Sequence, residues 1–476
     1  MARKIFSVLL VLAACVPADG ALPAGSTGEA TTGAAPTTGG SGSTGEAQDI
    51  LERLAAIEGL EVEEQPTELP GYRYFVMRYD QPADHDDPDA QRFGQRLVLL
   101  HRDEAAPMVM VTAGYFIYPD SPDLGEPATL LAGNQLAVEH RFFEPSRPGP
   151  ADWHALTIEQ AAADHHRVAA ALQGIYGGPW VATGGSKSGM AAVYFRRFYP
   201  DDVDATIAYV APNSFGDLDP RYLEFVAERG DADCRQKLYD VRREFLLRRP
   251  AMLERMATQA AEEELTYEIL NMDQALESAA VEFVFTFWQY ETAELCAEIP
   301  AVDASDDDVW LFLDYVVAPK FWSDAWYLGY EPYFWQAASQ LGYPAYDQIN
   351  VEDLMMYPGI DVARTYVQVG PGKDPALDAG AMQDVAAWVA GEGERMLLIY
   401  GENDPYTAAM FDPGGAPEVL RYIVPAGNHG ARILELADAD REAALAAIEA
   451  WTGIKPTRTG SARTGSARAR LRGHAW

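Results

Sequence analysis

The sequence predicts an α/β fold: a mostly parallel sheet flanked by helices, with a helical block inserted as a cap. Three observations predict it. Short apolar, strand-like runs alternate with segments of helical spacing between about residues 50 and 214. A long, mostly helical stretch, 215–385, interrupts that alternation. Strand-like runs then resume within 386–452. Alternation of this kind builds parallel sheets covered on both faces. An insertion between sheet strands lies over the sheet's C-terminal edge, where ligands of open α/β sheets sit.

The elements follow in order. Residues 95–101 and 107–112 read as neighbouring strands. Residues 157–173 have helical spacing, with Thr157 as N-cap and Gln160 as its capping-box partner. A short strand at 180–183, a helix at 188–199 and an apolar strand at 205–210 come next. After the helical block, residues 396–400 and 419–424 read as strands, and 439–451 as the last helix.

The two ends read differently. Residues 1–15 carry Arg3 and Lys4, then an apolar run ending in Leu12-Ala13-Ala14-Cys15. This is a secretory leader, too short for a permanent span. Its last four residues resemble a bacterial lipobox. That resemblance implies cleavage before Cys15, lipid on its thiol, and an extracytoplasmic, lipid-anchored chain, at the outer membrane or cell surface since Val16 follows. The alternative is a plain signal peptide. Residues 16–49, rich in Gly, Ser, Thr, Ala and Pro, read as a flexible linker. Residues 453–476 read as a basic, disordered tail.

The chain has 36 basic and 72 acidic side chains, a net charge of −36. Such a balance repels nucleic acid, so no nucleic-acid partner is expected for the folded body. Beyond Cys15 there are two cysteines, Cys234 and Cys296. Their spacing fits neither a zinc site nor a redox pair. In an exported chain they are a candidate disulfide; the alternative is two buried thiols. His165 and His166 are adjacent on a helix and face apart, so no metal is expected there.

The chemistry lies at three strand ends. Thr183-Gly184-Gly185-Ser186-Lys187-Ser188-Gly189 approximates the G-x-S-x-G nucleophile elbow, with Ser188 where the last glycine usually stands. Gly401-Glu402-Asn403-Asp404-Pro405 and Gly427-Asn428-His429-Gly430 follow the next strands. The order Ser, Asp, His is that of the α/β-hydrolase fold. A serine hydroxyl needs a nearby base, and the base an orienting carboxylate. Ser186 is therefore the expected nucleophile, His429 the base and Asp404 the acid. Oxyanion donors are expected from the Lys187 N–H and from Tyr115, by its N–H or hydroxyl, with Gly114 allowing close approach. A Ser-Lys mechanism through Lys187 is disfavoured because a histidine is at hand. The aromatic-rich stretch 309–346 reads either as cap core or as a pocket that stacks on a substrate ring such as proline.

Several stretches resemble the Streptomyces-type tripeptidyl aminopeptidases, a family of secreted serine peptidases. They are Gly133-Asn134-Gln135 with Glu139-His140-Arg141-Phe142-Phe143-Glu144-Pro145-Ser146-Arg147-Pro148, Ile158 to Arg167, Gly184 to Asn213, Gly401 to Pro405, and Gly427-Asn428-His429. The resemblance spans about 50–452. It implies release of short peptides, about three residues, from free N-termini, often after proline, with no metal or cofactor. A substrate ammonium then needs a carboxylate partner. Glu139 is the candidate; the alternative for Glu139 is an ion pair with Arg141 or Arg147. The same fold and triad also serve lipases and esterases, and a non-catalytic surface binding protein is a third reading.

Overall fold

The computed structural model describes residues 48–457, apart from 88, 90, 121, 122, 369, 371 and 372. Cys15, most of the linker and most of the basic tail lie outside the described residues.

Nine strands form one sheet: β1 (Leu60–Gln65), β2 (Arg73–Pro82), β3 (Arg92–His101), β4 (Met108–Thr112), β5 (Asn134–Val138), β6 (Trp180–Gly185), β7 (Ala205–Tyr209), β8 (Met396–Gly401) and β9 (Val419–Val424). The sheet order is β1-β2-β3-β5-β4-β6-β7-β8-β9. β1, β2 and β3 pair antiparallel, and β3 pairs antiparallel with β5. From β5 to β9 every pairing is parallel. Residues 95–101 and 107–112 are therefore not neighbours. β5 lies between them, a five-residue strand whose two half-buried positions break the apolar run.

The central strands β4, β6, β7 and β8 are buried along their whole length, as parallel strands covered on both faces must be. One face carries the helices Ile158–Gln173 and Lys187–Phe198, packed through Val168, Leu172, Ala192 and Phe195. The other carries Asp438–Thr452, packed through Ala444, Leu445 and Ile448. Burying each such Leu, Ile or Phe stabilises the fold by about 1.5–3 kcal/mol. Thr157 caps its helix by accepting the Gln160 N–H at 3.1 Å. The reciprocal half of the box is absent, because the Gln160 side chain turns to the 84–85 loop. There it accepts from His85 N–H at 2.9 Å and donates to Asp84 at 2.8 Å.

Between β7 and β8 the chain builds the predicted cap with a core of its own. Its longest helix is Met272–Tyr290. A capping box starts it: Asn271 accepts the Gln274 N–H at 2.9 Å, and the Gln274 side chain accepts the Asn271 N–H at 3.0 Å. Cys234, in the helix Ala232–Leu247, is disulfide-bonded to Cys296, just beyond the end of Met272–Tyr290. The helix Ala381–Gly391 already belongs to the sheet, packing Val385 and Val389 against Leu398 and Tyr400.

Candidate active site

The sharp turn after β6 presents Ser186 with φ +56°, a backbone region costly for any side chain but glycine. Its N–H is held by Tyr209 O at 2.9 Å. The turn demands small neighbours at two places. A Cβ on Gly184 would lie 2.4 Å from Ser188 C, and one on Gly189 would lie 2.9 Å from Gly184 O. Position 188 has no such need. The Ser188 side chain accepts the Gly114 N–H at 2.8 Å, and Thr112 Oγ1 donates to Ser188 O at 2.9 Å. The departure from the glycine motif thus ties the elbow to the loop after β4.

That tie fits Gly114 as the residue of close approach rather than as a donor. The Gly114 N–H is spent on Ser188 and does not face a substrate. The role of Gly114 is close approach, since a Cβ there would lie 2.7 Å from Ser188 N and 2.8 Å from Lys187 Cβ. The remaining donors at this junction are the N–H of Tyr115 and that of Lys187. Lys187 is the first residue of its helix, so its N–H has no intrahelical acceptor. The Lys187 side chain is buried and donates to Gly114 O at 2.6 Å, with the rings of Tyr115 and Phe143 beside it. Burial pushes its ammonium far below the usual lysine range. A neutral amine still donates, so Lys187 holds the loop from the rear.

Asp404 and His429 lie in the loops that follow β8 and β9. His429 Nδ1 lies 2.8 Å from Asp404 Oδ2, both residues buried. Asp404 Oδ1 accepts the Tyr406 N–H at 3.1 Å. Gly401 lets the two loops meet, because a Cβ there would lie 2.3 Å from Asn428 O. The His429 N–H donates to Gln289 O at 2.9 Å, so the long cap helix fixes the histidine's backbone. Tyr406 and Tyr290 flank the imidazole, with centroids at 5.0 and 5.9 Å. Ser186, by contrast, is partly exposed. Ser186, Asp404 and His429 thus share one edge of the sheet, beneath the cap.

Glu139 is sealed in the core. Its carboxylate is ion-paired with Arg96, and it accepts from Ser146 Oγ at 2.6 Å and from the Ile117 N–H at 2.9 Å. Burial pushes its carboxyl up, against the pull of Arg96. Its partner is neither Arg141, which pairs with Asp164, nor Arg147, which reaches Phe142 O and Glu144. With its oxygens so engaged and no exposure, Glu139 does not present a carboxylate to a substrate.

The aromatic stretch splits in two. Trp322, Tyr327 and Trp335 are buried within the fold. Tyr330 and Tyr333 instead turn to Tyr115, in the loop after β4, at 5.5 and 5.8 Å. The cap-core reading therefore holds for Trp322, Tyr327 and Trp335. His165 packs on Phe195 and His166 stacks on Tyr199. Among the described residues no His, Cys, Asp and Glu side chains are grouped as metal ligands would be.

A nine-stranded, largely parallel sheet with a helical cap and these three loops defines an α/β-hydrolase carrying a serine-hydrolase site. The PS-10 peptidase S37 family matches residues 43–472, and the chain belongs to that family of serine peptidases. The prolyl tri/tetrapeptidyl aminopeptidase of Streptomyces mobaraensis is 40% identical over 415 residues, 86% of each chain. The mouse (Mus musculus) lysosomal Pro-X carboxypeptidase is 28% identical over 189 residues, 35% of this chain and 38% of that one. A solved proline iminopeptidase of Mycobacterium smegmatis is 14% identical with a TM-score of 0.34, covering 78% of this chain and 91% of that one, a likeness too loose to carry an argument. The chain is a hydrolase of the serine aminopeptidase class.

Proposed function

We propose that the protein removes short peptides, about tripeptides, from free N-termini, with a preference for cleavage after proline. The observation that carries this reading is the buried Asp404–His429 pair on the same sheet edge as the strained Ser186 elbow. Asp404 holds a proton on Nδ1 and leaves Nε2 as the base. His429 takes the Ser186 proton as Oγ attacks the scissile carbonyl. The oxyanion gathers the N–H groups of Lys187 and Tyr115. His429 then protonates the departing amine, and water releases the acyl group by the same steps in reverse roles. Tyr115, Tyr330 and Tyr333 offer the aromatic faces on which a proline ring stacks. The 40% identical relative, a prolyl tri/tetrapeptidyl aminopeptidase by name, supports the short product and the proline preference.

The chain's place is part of the proposal. Lipid on Cys15 anchors the body outside the cytoplasm, and the Cys234–Cys296 disulfide suits an oxidising compartment. Intact-mass analysis of the mature N-terminus tests this, because an unmodified or uncleaved Cys15 contradicts it. For the activity, a panel of free and N-blocked peptidyl amides beside short esters is decisive. The proposal expects rapid release from free-amine peptides that end in proline before the cut. Turnover of esters alone would assign the site to an esterase.

A further inference from the structure

We propose that Glu282 and Asp361, in the cap, form the subsite that takes the substrate's α-ammonium, and that the helix Met272–Tyr290 measures its distance from the reacting bond. The inference rests on the exopeptidase reading above and names the part of the site that makes it an exopeptidase.

Among the described residues the buried acids meet a cation or backbone N–H groups, with one pair as the exception. Asp164 pairs with Arg141, Glu139 with Arg96, Glu277 with Arg249 and Glu331 with Lys373. Asp324 accepts the N–H groups of Glu268 and Ile269. Among the described residues no Arg or Lys forms an ion pair with Glu282 or Asp361, which instead hydrogen-bond to each other. Tyr366 donates to Asp361 Oδ1 at 2.6 Å. Asp361 is only 8% exposed, and its Oδ2 finds no protein N–H or hydroxyl donor. It lines a pocket of about 80 Å³ together with Ser278, whose buried Oγ also lacks a partner. A facing pair of acids without a counter-charge is costly. A cation arriving with the substrate removes that cost.

The surroundings suit an ammonium on an extended peptide. Tyr327, Tyr333, Tyr343, Tyr346 and Tyr366 stand around this pair, and aromatic faces favour cations. An aromatic wall then leads to the imidazole. Tyr346 meets Phe285 at 5.0 Å, Phe285 meets Tyr406 at 5.2 Å, and Tyr406 meets His429 at 5.0 Å. The spacing fits as well. From Glu282 to Gln289, whose carbonyl holds the His429 N–H, the helix runs two turns on one face. At 1.5 Å per residue that is about 10 Å, the reach of about three extended residues. An amine held at Glu282 therefore brings the third peptide bond to the catalytic end.

The experiment compares a free and an N-acetylated Ala-Ala-Pro anilide on the wild type, Glu282→Gln and Glu282→Asp. Glutamine keeps the hydrogen bond to Asp361 and removes the charge. The wild type is expected to prefer the free amine by on the order of 100-fold in kcat/KM. E282Q is expected to lose that preference through KM, with kcat for the acetylated peptide held, and E282D to restore part of it. Retention of the free-amine preference by E282Q overturns the inference and leaves the exopeptidase reading standing. Equal use of both peptides by the wild type overturns the inference without any variant, even if E282Q fails to fold. If neither peptide is cleaved while an ester is, the exopeptidase reading itself falls and takes the subsite with it.

Discussion

The Gly114 N–H donates to Ser188 Oγ at 2.8 Å, joining the loop after β4 to the nucleophile elbow. Where a glycine is usual, this chain uses a hydroxyl as a clamp. Ser188→Ala leaves the buried Gly114 N–H unpaired, which costs about 1–3 kcal/mol. The loop that carries Tyr115 then loses its register on Lys187. The expected result is a fall in kcat with KM little changed, together with a lower unfolding midpoint. Steady-state kinetics on one proline-containing peptide amide check it, and an unchanged kcat would remove the clamp from the account.

Asp404 is fully buried and meets His429 Nδ1 through a single oxygen. Asp404→Asn keeps the shape but presents an amide donor to that nitrogen and favours the wrong tautomer. Activity is expected to drop by roughly 10⁴-fold with the fold intact. Measurement of kcat/KM beside a circular dichroism spectrum tests this; a loss below tenfold would argue that another carboxylate serves His429.

The disulfide closes a chain segment with a sequence separation of 62 and pins the region just past Gln289 and Tyr290. Closing a loop of that size stabilises by on the order of 4 kcal/mol in the chain-entropy account. The C234S/C296S double variant is expected to unfold at lower denaturant and to lose activity at a lower temperature than the wild type. Coincident unfolding curves would show that the bridge adds nothing to the roof.

Burial pushes the His165 imidazole down to about 4, so the folded protein keeps it neutral where an unfolded chain, with a pKa near 6.5, binds a proton. Stability from this group is therefore present above pH 6.5 and is lost as pH falls toward 4, by on the order of 3 kcal/mol. Other groups titrate over the same range, so the check is a difference. Denaturant unfolding of the wild type and of His165→Gln at pH 7 and pH 4.5 should show the wild type losing more. Equal losses would mean that His165 gains a proton without penalty.

Much of this was legible in the sequence, for physical reasons. Buried parallel strands read as apolar runs, and strained turns need glycine, so β4, β6, β7, β8 and the Ser186, Asp404 and His429 loops could be located. β5 was missed as a strand because five residues, two of them half-buried, carry little pattern. Glu139 drew attention as an acid in a recognisable motif, but which arginine meets it depends on sheet order, and Arg96 comes from β3. The Glu282–Asp361 pair left one local sign only, a single acid in the apolar run 279–288. The partner lies far along the chain, and that the pair lacks a counter-charge is a property of the fold. The Ser188 clamp was visible as a departure from the motif; its purpose required the position of Gly114.

The central claim is that the Ser186 hydroxyl is the attacking group. A fluorophosphonate probe followed by peptide mapping, with kcat/KM for a free-amine peptide amide measured on wild type and Ser186→Ala, tests it most directly. The expected result is one label per chain, on Ser186, and a fall in the variant of roughly 10⁴-fold or more with unchanged thermal stability. Label on another residue, or a Ser186→Ala enzyme that still turns over at the wild-type rate, would contradict it.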